Sequence, residues 1–199
     1  GRSRLLASGG DGRIVQLNLD DFSVFAQRKV SSRTIPMAKY SADGRKIACV
    51  GMDDTLHILD ADTLEELLSW HNLDAIHTVL MTPANSVVIG DRGGVLSTFR
   101  LPDPGTDLPA GQWEPSLRWA GHDSPISATI CLSELVSSGS SNDHVISADR
   151  NGKIWSWDIV GGIDRAIIPP KPDQPQVMHD AVCVTHEDSN VLRSSPDGI

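Results

Sequence analysis

The side chains able to do chemistry are plentiful in this sequence, but they are not grouped as chemistry requires. His71 and His77 flank Asn72-Leu73-Asp74-Ala75-Ile76. That spacing does not bring two imidazoles onto one helical turn, and no second ligand pair stands nearby, so no zinc-type centre is expected. His179-Asp180 and His186-Glu187-Asp188 read as loop pairs. The acidic pairs Asp20-Asp21, Asp53-Asp54, Glu65-Glu66 and Glu187-Asp188 have neither EF-hand spacing nor a glycine-centred acidic loop, and read as solvated turn carboxylates. Ser, His and Asp are all present without a GxSxG nucleophile turn. Gly9-Gly10-Asp11-Gly12 and Gly93-Gly94 precede no convincing helix, so they supply positive φ to turns rather than cradle phosphate. The expectation is a chain with no catalytic residues, no metal, no cofactor and no small-molecule substrate.

The bulk properties narrow the partners. Seventeen basic residues against 26 acidic ones leave a net charge of −9, which argues against broad nucleic-acid binding. Arg28, Lys29, Arg33, Lys39, Arg45 and Lys46 concentrate in one stretch, but only Tyr40 stands near them as a stacking aromatic. No apolar run reaches the roughly 18 residues of a membrane span, so no membrane insertion is expected. Gly1-Arg2-Ser3-Arg4 has no starting Met and no signal-like apolar core, and the chain reads as an internal piece of something longer. Cys49, Cys131 and Cys183 are odd in number, lack CxxC spacing and sit in apolar runs. They read as small buried hydrophobes in a reducing compartment, cytoplasm or nucleus.

The elements that must position these residues show a repeat. Leu6–Ile14, Ile47–Leu56, Val87–Leu96, Val145–Ile154 and Val191–Ile199 share one pattern. An apolar pair leads to a small residue, then to a turn with Asp, Asn or Gly, then to a second alternating run. The matching turn positions Asp11, Asp53, Gly93, Asn151 and Asp197 are about 42, 40, 58 and 46 residues apart. Short runs rich in Val and Ile, punctuated by Gly and Asp, predict strands rather than a helical repeat. Strands are predicted at Leu5–Gly10, Ile14–Leu19 and Val24–Lys29, then Ile35–Tyr40, Lys46–Gly51, Thr55–Asp60 and Glu65–Trp70. They continue at Ile76–Met81, Ser86–Gly90, Val95–Arg100 and Ser116–Trp119, then Ile126–Leu132, His144–Ala148, Ile154–Asp158 and Arg165–Ile168. Ala181–Thr185 and Val191–Ser194 complete the series.

Periods near 40 to 45 residues with four short strands each mark a β-propeller. The chain resembles the WD40 family along its length. The best match is Gly121-His122, Ser147 and Lys153-Ile154-Trp155-Ser156-Trp157-Asp158; a second is Tyr40-Ser41-Ala42-Asp43-Gly44 followed by Asp53 and Leu59-Asp60. The resemblance implies an all-β fold whose blades run as strands a, b, c and d. It also implies a buried hydrogen-bond network, carried onto His122, Ser147, Asn151 and Trp157 in the fourth repeat, with Asp53 as the matching acid of the second. Asn151 in place of Asp makes that network neutral. Leu59 and Phe99 stand where the family has Trp, Cys49 and Ile89 where it has Ser, so those blades are expected to rely on packing. His71 falls near the family's structural His.

The expected organisation is a partial blade at 1–30, blades at 31–71, 72–120 and 121–175, and a partial blade at 176–199. A seven-bladed propeller needs roughly 280 to 315 residues. The chain is therefore part of a larger, about seven-bladed propeller, or its two ends close a smaller one. The a–b and c–d connections leave one face, the b–c and d–a connections the other. The long c–d insertion 101–115 and the long a–b insertion 133–143 thus belong to the same face of adjacent blades. Trp113 among prolines either meets a partner or folds back on its own blade. Partner contact is assigned to Gln112, Trp113 and Glu114, walled by the second insertion through Ser138 and Ser140. Pro169–Gln176 reads as a stiff connector.

What the resemblance implies for function is a non-catalytic scaffold for protein–protein interactions within a multi-protein complex. The alternative is a reader of a peptide or modified residue at the central opening. A propeller hydrolase would need converging acids, histidines or metal ligands that the spacing does not offer.

Overall fold

Val, Ile and Leu dominate the buried strand positions, and their two-residue alternation serves two faces at once. In β5 (Lys46–Val50), Ile47 and Cys49 turn to one side and Ala48 and Val50 to the other, and all four are inaccessible to solvent. A strand buried on both faces must lie in a sheet packed between two others. The computed structural model describes residues 4–71, 74–102, 113–132 and 144–159, and the backbone of 163–168, 181–184 and 191–194.

Among the described residues, the strands form four antiparallel meanders and one antiparallel pair. The first is β1 (Arg4–Ser8), β2 (Arg13–Asn18) and β3 (Val24–Lys29). The second joins β4 (Met37–Tyr40), β5, β6 (Thr55–Asp60) and β7 (Glu66–His71). The third joins β8 (Ile76–Met81), β9 (Ser86–Asp91), β10 (Val95–Arg100) and β11 (Leu117–Ala120). The fourth joins β12 (Ile126–Cys131), β13 (His144–Asp149), β14 (Ile154–Asp158) and β15 (Ile163–Ile168), and β16 (Ala181–Val184) pairs with β17 (Val191–Ser194). The predicted strands are found, displaced at their ends by one or two residues. Register sets cross-strand neighbours such as Cys49 opposite His57 and Ser147 opposite Trp155.

The a strands β4, β8, β12 and β16 pack side by side, and the b strands of the first three sheets, β1, β5 and β9, each touch the next sheet's a strand. This is the radial order of a propeller. Among the described residues, three layers of core lie between successive sheets, and a fourth, of Ala128, Ile146, Ala148 and Ile154, lies on the far face of the fourth sheet. Ile14, Ile47, Cys49 and Leu59 fill the first, Leu56, Ile58, Val79, Ile89 and Phe99 the second, and Leu80, Val88, Leu96, Val145 and Trp157 the third. Each fully buried aliphatic side chain contributes roughly 1.5–3 kcal/mol. Among the described residues, no helix is long and apolar enough to cross a membrane.

Candidate functional site

The b–c turns are the most regular feature of the molecule. Gly12, Asp54, Gly94 and Gly152 occupy the same place in four successive sheets, with φ of 79°, 62°, 80° and 82°. A Cβ on Gly94 would strike the carbonyl of His122, so this position needs glycine for space as well as for backbone conformation. Three of these turns are tied to the d–a linker ahead of their own sheet. The N–H of Met52 donates to the Thr34 carbonyl (2.8 Å), that of Arg92 to Ala75 (2.8 Å) and that of Arg150 to Pro125 (3.1 Å).

Each turn also holds a carboxylate, from one of two positions. In the third and fourth sheets it belongs to the last residue of the b strand: Asp91 Oδ1 accepts the Val95 N–H (2.9 Å), and Asp149 Oδ1 accepts those of Asn151 and Lys153 (both 2.9 Å). In the first two sheets that position is Gly9 or Gly51, and the carboxylate comes from Asp11 or Asp53, two residues later. Asp11 Oδ1 accepts the Arg13 N–H (3.1 Å), the counterpart of Val95 and Lys153. A Cβ on Gly51 would fall on Asp53 Oδ1, so the two positions share one space and only one can be acidic.

This corrects the network expected at Asn151. In the fourth sheet His122 Nδ1 lies 3.0 Å from Asp149 Oδ2 and His122 Nε2 lies 2.7 Å from Ser147 Oγ, while Trp157 Nε1 donates to Ser147 Oγ (2.6 Å). The His122 and Asp149 side chains are wholly buried. Asn151 enters only through its backbone N–H. The cause is strand alternation: Ser147 and Asp149 are two apart on β13 and face the same side, whereas Asn151 has passed into the turn. With Nδ1–H donating to the carboxylate, Nε2 accepts from the serine hydroxyl, whose oxygen accepts from the indole. Every polar group in that chain is then satisfied, with a negative charge inside it.

The second sheet has no such chain. Ser31 donates to Asp53 Oδ2 (2.6 Å), while Asp53 Oδ1 is buried without a partner. Cys49 replaces the serine; burial above all pushes its thiol up to about 12, leaving it protonated and unreactive. His57, opposite Cys49, has Nδ1 2.6 Å from Glu66 Oε2. His71 ends β7 in the open, its Nδ1 3.3 Å from the Thr55 hydroxyl, and does not take the structural place expected of it.

Trp113 is also corrected. It is 8% exposed, its ring 4.9 Å from Phe99, and its Nε1 donates to the Arg100 carbonyl (3.1 Å). Folding back removes its apolar area from water and satisfies its one donor, so it anchors the end of the c–d insertion instead of facing a partner. Glu114 follows, accepting from Trp70 Nε1 (3.2 Å). Gln112, Ser138 and Ser140 lie outside the described residues.

Two clefts flank the second sheet. One, of about 450 Å³, opens by the a–b turn among Arg4, Tyr40, Asp43 and Asp62; there Arg4 is paired with Asp62 at 2.7 Å. Burial raises the Tyr40 phenol, which meets Gln16 Nε2 at 2.9 Å. The other, of about 390 Å³, opens on the b–c and d–a side among Arg33, Pro36, Met52, Asp54, Ala75, Ile76 and His77. Burial lowers His77 below the ordinary histidine value, and the positive charges of Arg150 and Arg92 push the same way against Asp91 and Asp54. Sequence reasoning missed Arg92 and Arg150, although both follow the last residue of a b strand. The basic stretch it singled out divides instead between the two faces, Arg33 on the d–a linker and Arg45-Lys46 at the a–b turn. Among the described residues, no three His, Cys, Asp or Glu side chains are grouped to hold a metal ion.

No protein-family model matches the chain, and no curated protein matches it in sequence. Among solved structures it is similar to the crystal structure of the WD40 β-propeller domain of Doa1, with a TM-score of 0.72 at 11% identity. That match covers all of this chain and 59% of the other. The chain thus has the all-β fold of a WD40 propeller along its whole length.

Proposed function

We propose that this chain is a non-catalytic scaffold that holds other proteins together in a multi-protein assembly. Propellers of this fold commonly mediate protein–protein contacts. The observation that carries the reading is where the two long connections leave. One joins β10 to β11 and the other β12 to β13, so both emerge from the same face of neighbouring sheets. The buried Trp113 pins the first to the rigid blade beneath it. The partner contacts are then Gln112 and Glu114 on one insertion and Ser138 and Ser140 on the other, with Trp113 as their fixed base. Such a protein works inside the cell, where thiols such as Cys49 and Cys131 stay reduced.

The test replaces 103–112 and 133–143 by Gly-Ser linkers in the tagged protein, expressed in its native cells, and quantifies what co-purifies. The expected result is a stoichiometric set of proteins that the replacement releases. A set that is indifferent to both insertions overturns the assigned face, and the lack of any stoichiometric protein overturns the scaffold. The second reading, a peptide reader at the central opening, is favoured by the basic groups around His77 on the opposite face.

A further inference from the structure

Three consecutive sheets present Met52, Arg92 and Arg150 at one structural place, each fixed by the same backbone hydrogen bond from turn to linker. All three side chains are exposed, Met52 to 50%. Met52 overhangs the cleft of about 390 Å³ between the second and third sheets, whose apolar lining is Pro36, Ala75 and Ile76. The carbonyl of the lining residue Ala75 accepts the Arg92 N–H at 2.8 Å, which sets Arg92 beside the cleft, and His77 also lines it. Arg33 borders the cleft on the other side. Among the described residues, the guanidinium groups of Arg33, Arg92 and Arg150 have no hydrogen-bond or ion-pair partner. The carboxylate of Asp91 is already engaged by its own turn. Asp54 is the one nearby acid on the cleft lining, and it occupies the left-handed position that is glycine in the other three sheets. Strain accepted at this single turn sets one fixed negative group at the cleft's edge.

A chain with a net charge of −9 therefore carries an unpaired cationic rim beside an apolar hole. We propose that this rim binds an extended acidic peptide segment, seating an apolar side chain between Met52 and Ile76 and laying its acidic groups across Arg92 and Arg150. The inference rests on the protein-interaction reading above and places a second contact on the opposite face. The apolar hole favours a peptide over a nucleic acid, because among the described residues no Phe, Tyr or Trp lines the cleft as a platform for successive bases. Carboxylate and phosphoryl groups would both suit the two guanidiniums.

Calorimetric titration of the full chain tests this with four synthetic probes. They are a leucine-containing peptide rich in Glu, its phosphoserine counterpart, its Gln counterpart, and a single-stranded RNA oligonucleotide of similar length. The expected result is binding of an acidic peptide, weakened about tenfold in R92Q/R150Q and by raised salt, and unchanged in R45Q/K46Q on the other face. The tighter of the two acidic peptides identifies carboxylate or phosphoryl as the natural group. Circular dichroism melts of both variants establish that they fold. The proposal is overturned if the Gln peptide binds equally, if R92Q/R150Q binds unchanged, if RNA is preferred, or if no probe binds. The insertion-replaced protein must still bind the acidic peptide. Loss of peptide binding there ties it to the insertions and overturns the rim, while peptide failure with insertion-dependent partners intact overturns the rim and leaves the scaffold.

Discussion

The second and fourth sheets have the same four strands in the same order, yet different forces hold them. In the fourth, a buried chain runs from Trp157 through Ser147 and His122 to Asp149. In the second, Cys49 and Leu59 stand at the serine and tryptophan positions, both inaccessible to solvent, and Asp53, the acid directed into the turn, keeps one unpartnered oxygen. A satisfied polar network and an apolar contact layer therefore produce the same blade geometry. The difference between them is what each tolerates. An apolar layer loses energy in proportion to the area removed, while a network with a buried charge fails when one member is taken away.

The strongest way to break this comparison is His122→Ala. It leaves Asp149 Oδ2 buried without its partner, while Oδ1 keeps the Asn151 and Lys153 N–H groups, and should cost about 3–5 kcal/mol in urea unfolding followed by circular dichroism. Cys49→Ala should cost only about 1 kcal/mol for its small side chain; equal losses would erase the contrast. Next in size, Cys49→Ser puts a hydroxyl where no indole or imidazole meets it, and should destabilise by about 1–3 kcal/mol in the same assay, although serine is the residue of the fourth sheet.

The two carboxylate positions give a third, smaller test. Asp149→Gly should destabilise, and adding Asn151→Asp should return about 1 kcal/mol by restoring an acceptor near the Lys153 N–H. No recovery would mean that the acid of the first two sheets is not equivalent to that of the last two. Asp54→Gly should stabilise by about 0.5–1 kcal/mol in thermal melts, since it relieves a left-handed non-glycine residue. The smallest effect concerns pH. The Ser41 hydroxyl holds Asp43 below its ordinary value, and the Thr63 N–H does the same for Asp60, both in turns of the second sheet. Groups with lowered carboxylate values stabilise the fold above the unfolded value and lose that contribution as pH falls through the folded one. Asn substitution at both should therefore flatten a shallow acid-side decline in stability below about pH 4.

Much of this architecture was legible because the signal repeats. Alternation within short Val- and Ile-rich runs located the strands, and the 40-residue period ordered them into sheets. What escaped were departures from period. Aligning the turns on Asp53 points to Asn151, but parity with Ser147 along β13 points to Asp149, a signal present in the sequence and overridden by the turn alignment. Trp113 lies in an insertion, where no period applies, and only the Phe99 ring and the Arg100 carbonyl decide its direction. The cationic rim was hidden for another reason: Arg92 and Arg150 are 58 residues apart in sequence and take equivalent places on one face only when the a strands of their sheets pack side by side.

The placement of the indoles has an optical consequence. Trp70 and Trp113 pack against Phe99 between the second and third sheets. Trp119, Trp155 and Trp157 cluster between the third and fourth, with the last two stacked at 5.3 Å. The first sheet has no tryptophan at all. Intrinsic fluorescence therefore watches the two seams on either side of the third sheet. The first sheet can detach in the dark, and its loss would pass unseen in any emission-monitored melt.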